Sequence, residues 1–188
     1  MFKMFTEIRL KQLQLILYFA GFLWVVHFIG LIIPMDGLGI IPRELSGLPG
    51  ILFAPFIHAD FSHLIANTFS LVILGFILAS TEDNGIISIL LAVMLLGGLG
   101  TWVIGRGGTI HIGASGVIYG ILGYLLARGY FRKDFKSVII SLIVFFAYGG
   151  MIFGVLPSVP GMSWESHLCG FCAGILAASN PSVRKKGK

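Results

Sequence analysis

Ser115 lies in the run His111-Ile112-Gly113-Ala114-Ser115-Gly116-Val117-Ile118-Tyr119-Gly120, a hydroxyl between glycines at the start of an apolar stretch too short to cross a bilayer. A hydroxyl placed there costs free energy unless it has partners. Two polar groups far away in sequence, His63 with Asn67 and His167, stand at nearly the same distance from the end of their own apolar runs. A serine becomes a nucleophile when a base takes its proton, and the imidazole of His167 can do so near neutral pH. No apolar run contains a lysine and no run core holds a carboxylate; Glu165, two residues from His167, is expected to point away on a helix. The expected chemistry is acyl transfer by a Ser-His dyad without an acidic third member.

Acyl transfer creates an oxyanion, which needs donors aimed at it. The backbone N–H of Ser115 at a helix N-terminus is free to donate, and the Asn67 amide and His63 ring add to it. Gly113 and Gly116 let the chain turn sharply and pack closely at the serine. Tyr119, one turn below Ser115, is placed to stack on the His167 ring. Gly170 and Gly174 form a G-x-x-x-G stripe that would bring the helix of His167 against the helix of Ser115. Other polar residues read as structural: His58 at the loop edge above His63, His111 as a loop bystander, and Cys169 and Cys172 as small packing residues. His27, inside the first run, has no motif around it.

The elements that must hold these groups are membrane spans. Of 188 residues, 56% are hydrophobic and only 11% charged, and the mean hydropathy is +0.96. A soluble domain of this composition would have too little polar surface to face water, so an all-α integral membrane protein with one domain is expected. Apolar runs cover about Leu13–Ile33, Ser62–Ser80, Ile86–Ile104, Ser115–Ala127, Val138–Leu156 and Ser166–Ser179. Residues 1–12 and the basic tail 181–188 flank this core of residues 13–180. The first run follows Lys3, Arg9 and Lys11 but has no small-residue cleavage site, so it reads as a retained span. The stretch Pro34–Phe61, rich in Gly and Pro, is long for a connection and is expected to be a structured, partly immersed loop.

Six spans place both termini on one side. On that side fall Lys3, Arg9, Lys11, Arg128, Arg132, Lys133, Lys136, Arg184, Lys185, Lys186 and Lys188; the opposite side has only Arg43 and Arg106. By the positive-inside rule both termini are cytoplasmic. This distribution accounts for the net charge of +5 as a matter of orientation, so nucleic acid is not an expected partner. The basic tail is expected to meet anionic lipid.

Depth follows from helix rise. Ser115 is thirteen residues before Arg128, His167 thirteen before Asn180, and Asn67 thirteen before Ser80. All three then lie at one level, roughly 20 Å above the inner boundary and about 10 Å beneath the outer one of a ~30 Å hydrocarbon core. Helices beginning at Ser115 and Ser166 cannot span fully, so the irregular backbone above them must be covered by protein or line a water-filled cavity. Such a cavity would bring water to the serine.

The set His58-x4-His63-x3-Asn67, Gly113-x-Ser115-Gly116-x2-Tyr119 and His167-x2-Gly170-x3-Gly174, in that order on the second, fourth and sixth spans, resembles the rhomboid intramembrane serine proteases. The resemblance implies a six-helix bundle with short fourth and sixth helices around a water-accessible cavity. It also implies cleavage of single-span or other transmembrane protein substrates, admitted between the second and fifth spans, with no metal and no cofactor. Carried over, Ser115 is the nucleophile, His167 the base, His63 and Asn67 the oxyanion donors and Tyr119 the ring partner of the base. The Trp-Arg pair common in the first loop of rhomboids is missing, with Pro49-Gly50 near its place, and Ser166 replaces the usual Ala before the histidine. The absence of a further domain or a seventh span resembles the minimal prokaryotic form, in which the inner membrane is the expected location. A channel or transporter lined by His58, His63, Asn67 and His167 is the competing reading, as is a rhomboid relative that binds clients without cutting them. Against the first stands the lack of buried ionisable pairs; against the second, both Ser115 and His167 are present.

Overall fold

A computed structural model describes residues 2–82, 85–157 and 161–180. Seven α-helices follow one another along these residues: α1 (Phe2–Gly30), α2 (Gly50–Phe53), α3 (Phe61–Thr81), α4 (Ile86–Ile104), α5 (Ser115–Arg132), α6 (Phe135–Tyr148) and α7 (Trp164–Ser179). Short 3-10 turns occupy Asp36–Leu38, Leu45–Gly47 and Ala54–Phe56, and a longer one, Gly149–Val155, continues α6. Four stretches, Arg9–Gly30, Phe61–Thr81, Ile86–Ile104 and Phe135–Val155, are long and apolar enough to cross a membrane. The chain is an integral membrane protein.

α5 is the centre. Val117, Ile118, Ile121, Leu122, Tyr124 and Leu125 are all buried, so the helix is enclosed on every side, as an all-round apolar helix requires. α3, α4, α6 and α7 surround it, and α1 lies outside against α3, where Ile16 fills the space a side chain at Gly75 would take. α5 and α7 touch backbone to backbone. A Cβ at Gly170 would stand 2.0 Å from the Gly116 carbonyl oxygen, and one at Gly174 would stand 1.9 Å from that of Gly120. Gly174→Ala is therefore expected to push the two helices apart and lower stability by about 1–3 kcal/mol, the cost of overpacking. Unfolding in mixed micelles measures it, and an unchanged midpoint would refute the contact.

Helix starts follow local chemistry. Asp60 caps α3 by accepting from the His63 N–H at 2.8 Å and the Ser62 hydroxyl at 2.6 Å, and these bonds, the hydroxyl's above all, hold its carboxyl below the usual carboxylate range. Asp134 caps α6 in the same way through Ser137.

One expectation, for Arg128, needs correction, and two others gain detail. The fifth apolar run, expected over about Val138–Leu156, is the stretch Phe135–Val155, in which α6 gives way at Gly149-Gly150, two poor helix formers, to the tighter 3-10 turn. Arg128, read as a loop charge beyond the fourth span, is inside α5 and only 2% exposed, with Nη1 3.2 Å from Glu82 Oε1 and Nη2 3.3 Å from Ser137 Oγ. Arg132 joins the same carboxylate and reaches the Tyr124 hydroxyl at 3.2 Å. Glu165, expected to point away from His167, lies in the first turn of α7 at 1% exposure and is held by Arg106 Nε at 2.7 Å.

The first loop is anchored without a Trp-Arg pair inside it. Arg43 Nη1 donates to the carbonyls of Val103 (3.0 Å) and Gly105 (2.7 Å), and Trp102 Nε1 donates to the Glu44 carbonyl (2.8 Å). Ile40 and His111 exchange two backbone hydrogen bonds of 2.9 Å, tying this loop to the segment before α5. The basic tail from Arg184 to Lys188, expected to meet lipid, lies outside the described residues.

Candidate active site

Ser115 is the first residue of α5, following Ala114 at the cap position. Gly113 has φ +108°, a left-handed conformation that favours glycine, and a Cβ there would meet His63 Cε1 and Nε2 at 2.7 Å. The turn thus lays the backbone before the serine directly against the His63 ring. Its Gly113 N–H donates to the Ala54 carbonyl at 2.9 Å. At Gly116 a Cβ would come within 2.7 Å of Ser166 Oγ, so the serine that stands before His167 uses the space left by the glycine.

His167, on α7, brings Nε2 to 3.0 Å from Ser115 Oγ. Its Nδ1 is 2.8 Å from the Gly154 carbonyl oxygen. A carbonyl only accepts, so Nδ1 carries the proton and Nε2 is left to accept from the serine hydroxyl. Tyr119 stacks on the imidazole with ring centroids 4.1 Å apart and planes 8° from parallel. Its hydroxyl donates to the Met151 carbonyl at 2.9 Å.

Asn67 is buried and donates from Nδ2 to the His63 carbonyl at 2.8 Å, which occupies one of its two amide hydrogens. His63, Asn67, Ser115, Tyr119 and His167 all line one cavity of ≈ 530 Å³. Ala59 and Asp60, both exposed, line it as well. The Ser115 N–H, in the first turn of α5, has no intrahelical acceptor.

His58 stands behind this site. Its Nε2 accepts from the Ala114 N–H at 3.4 Å, and its ring meets His63 edge to face at 5.0 Å. Burial, then the nearby His63, push its pKa down to about 4 from 6.5. The folded state thus favours neutral His58, and its contribution to stability is complete above pH 6.5 and lost as the pH falls through about 4. The loss is up to about 3 kcal/mol. Stability measured against pH should show this acid limb, and His58→Gln, which retains an acceptor, should flatten it; an identical limb in the variant would refute the assignment.

The remaining histidines lie apart from the serine. His111 is 2% exposed, bonded through Nε2 to Thr109 Oγ1 at 3.1 Å, and burial lowers its pKa. His27 packs its ring on Phe61 at 4.7 Å, edge to face, where α1 meets the start of α3. Cys169 and Cys172 are free thiols. Sequence reasoning missed the carbonyls of Gly154 and Met151, because a backbone acceptor leaves no mark in residue type.

A rhomboid-domain profile matches residues 45–180. An uncharacterized protein of Mycobacterium tuberculosis is 40% identical over 173 residues, covering 87% of this chain and 72% of that protein. One from Mycobacterium leprae is 41% identical over 174 residues, covering 87% and 68%. A Bacillus subtilis protein named as a candidate rhomboid protease, YdcA, is 28% identical over 126 residues, covering 64% and 60%. With the profile extending over both the Ser115 turn and the His167 helix, the chain belongs to the rhomboid family.

Proposed function

We propose that this protein is a serine endopeptidase that cuts transmembrane segments of other membrane proteins inside the bilayer. The observation that carries the reading is the Ser115 Oγ to His167 Nε2 distance of 3.0 Å, with Nδ1 held by a carbonyl so that Nε2 is the free base. In the first step Oγ attacks the scissile carbonyl carbon while its proton passes to Nε2. The carbonyl oxygen becomes an oxyanion, met by the Ser115 N–H with the Asn67 amide and the His63 ring. The imidazolium then gives its proton to the leaving amine, and an acyl ester remains on Ser115. Water reaches that ester through the cavity, which runs from exposed Ala59 and Asp60 down to the serine, and His167 repeats the cycle as base.

On this reading α5 and α7 complete a bundle of six spans over residues 13–180, with the cavity facing outward and both termini in the cytoplasm. Cytoplasmic termini accord with the excess of Lys and Arg on their side, and an inner-membrane location follows from the resemblance to minimal prokaryotic rhomboids. A fluorophosphonate probe tests the nucleophile without knowledge of the client. Labelling of the wild type that disappears in both Ser115→Ala and His167→Ala is the expected result; labelling that persists in Ser115→Ala would refute the assignment.

A further inference from the structure

A Ser-His pair without a carboxylate leaves open what orients the base and supports its positive charge. Glu165, two residues from His167, is already engaged by Arg106 Nε at 2.7 Å. The partner of His167 Nδ1 is instead the Gly154 carbonyl in the 3-10 turn that follows α6. The same turn holds the stacking ring, since the Tyr119 hydroxyl donates to Met151. Base and ring are therefore both tied to one short segment of a different helix.

The local sequence explains why that carbonyl is free. Continuing the 3-10 ladder would give the Gly154 oxygen the N–H of residue 157, but residue 157 is proline and has none. An acceptor left unpaired at a turn end seeks another donor, and His167 supplies it. Residue 154 must also be small. A Cβ there would stand 1.9 Å from the Tyr119 oxygen and 3.5 Å from His167 Nδ1.

We propose that the turn Gly149–Val155, through the Gly154 carbonyl, serves as the third member of the catalytic set, fixing the tautomer and orientation of His167. Gly154 is then a positioning residue, acting through the base rather than on the client. One consequence is that the base is armed only while this turn sits against α5 and α7, which couples the position of α6 to the chemistry. The inference rests on the protease reading above.

The test combines Gly154→Ala with the fluorophosphonate probe, client cleavage, and imidazole nitrogen NMR of His167 in micelles. In the wild type the resonances should report a proton on Nδ1 in a strong hydrogen bond, seen as a downfield signal that is absent in His167→Ala. Gly154→Ala should weaken that signal and slow labelling at least about tenfold, in the direction of catalytic sets whose base has lost its orienting partner. kcat should fall while KM stays within about twofold, because the contact is not with the client. Removing the crowded oxygen should restore part of the loss, so Gly154→Ala with Tyr119→Phe should label faster than Gly154→Ala alone. A wild-type His167 protonated on Nε2 overturns the proposal without any variant, as does a Gly154→Ala protein that labels at the wild-type rate. If the wild type itself fails to label, the protease reading falls first, whatever the NMR shows.

Discussion

Ser115→Ala and His167→Ala are each expected to reduce cleavage of a transmembrane client by about 10⁴-fold or more in liposomes, with the helical fold retained. The magnitude follows from how serine hydrolases fail: removing either partner of the proton transfer costs nearly as much as removing both, because neither works alone. The double variant should accordingly be little worse than either single one. Both side chains line the same cavity, so each truncation enlarges a space that is already there, His167→Ala giving up its stacking on Tyr119 as well. Cleavage surviving in both single variants would exclude the serine mechanism. On the proposed mechanism Asn67→Ala should lose far less, about 10² to 10³-fold, since other donors to the oxyanion remain.

Glu82→Gln is the substitution expected to cost the most stability, about 3–5 kcal/mol. The carboxylate follows the end of α3, is 2% exposed, and faces the guanidinium groups of Arg128 and Arg132 from α5. An amide of the same shape leaves Arg128, itself 2% exposed, without its ion-pair partner, with only the negative charge of Asp134 still acting on it. Burying an uncompensated cation is the expensive part, more than losing the attraction. Glu165→Gln provides the contrast: its partner Arg106 is 44% exposed and can turn to water, so the loss should be clearly smaller. Unfolding midpoints of the two variants in the same detergent decide the matter, and equal losses would show that burial of the cation is not the cause. Replacing Arg128 by Met in the Glu82→Gln background should recover part of the stability.

These two groups differ in how far they could be read from residue order alone. Ser115, His167, His63 and Asn67 are polar residues inside apolar runs, and a polar atom in hydrocarbon is costly enough that its position carries information. Counting residues to the end of each run gives them one expected depth, although α5 continues past Arg128, the end used for Ser115. Tyr119 was legible for a similar reason, being one turn from the serine on the same helix face. Arg128 was not. As a basic residue at the end of an apolar run it looks like any cytoplasmic charge, and only the folding of α3 and α6 around α5 buries it against Glu82 and Ser137.

What residue order marked, then, is an integral membrane chain with a serine and a histidine on separate helices, and glycines where those helices meet. The tertiary structure decided what holds the His167 ring. The acceptor for His167 Nδ1 is the Gly154 carbonyl, contributed by a turn thirteen residues away on another element. Every residue has such a carbonyl, so no side-chain pattern marks the one that is used. Which one remains unpaired depends on where the 3-10 ladder stops at Pro157 and on how closely α5 and α7 approach through Gly170 and Gly174, and both are settled only when the backbones are assembled.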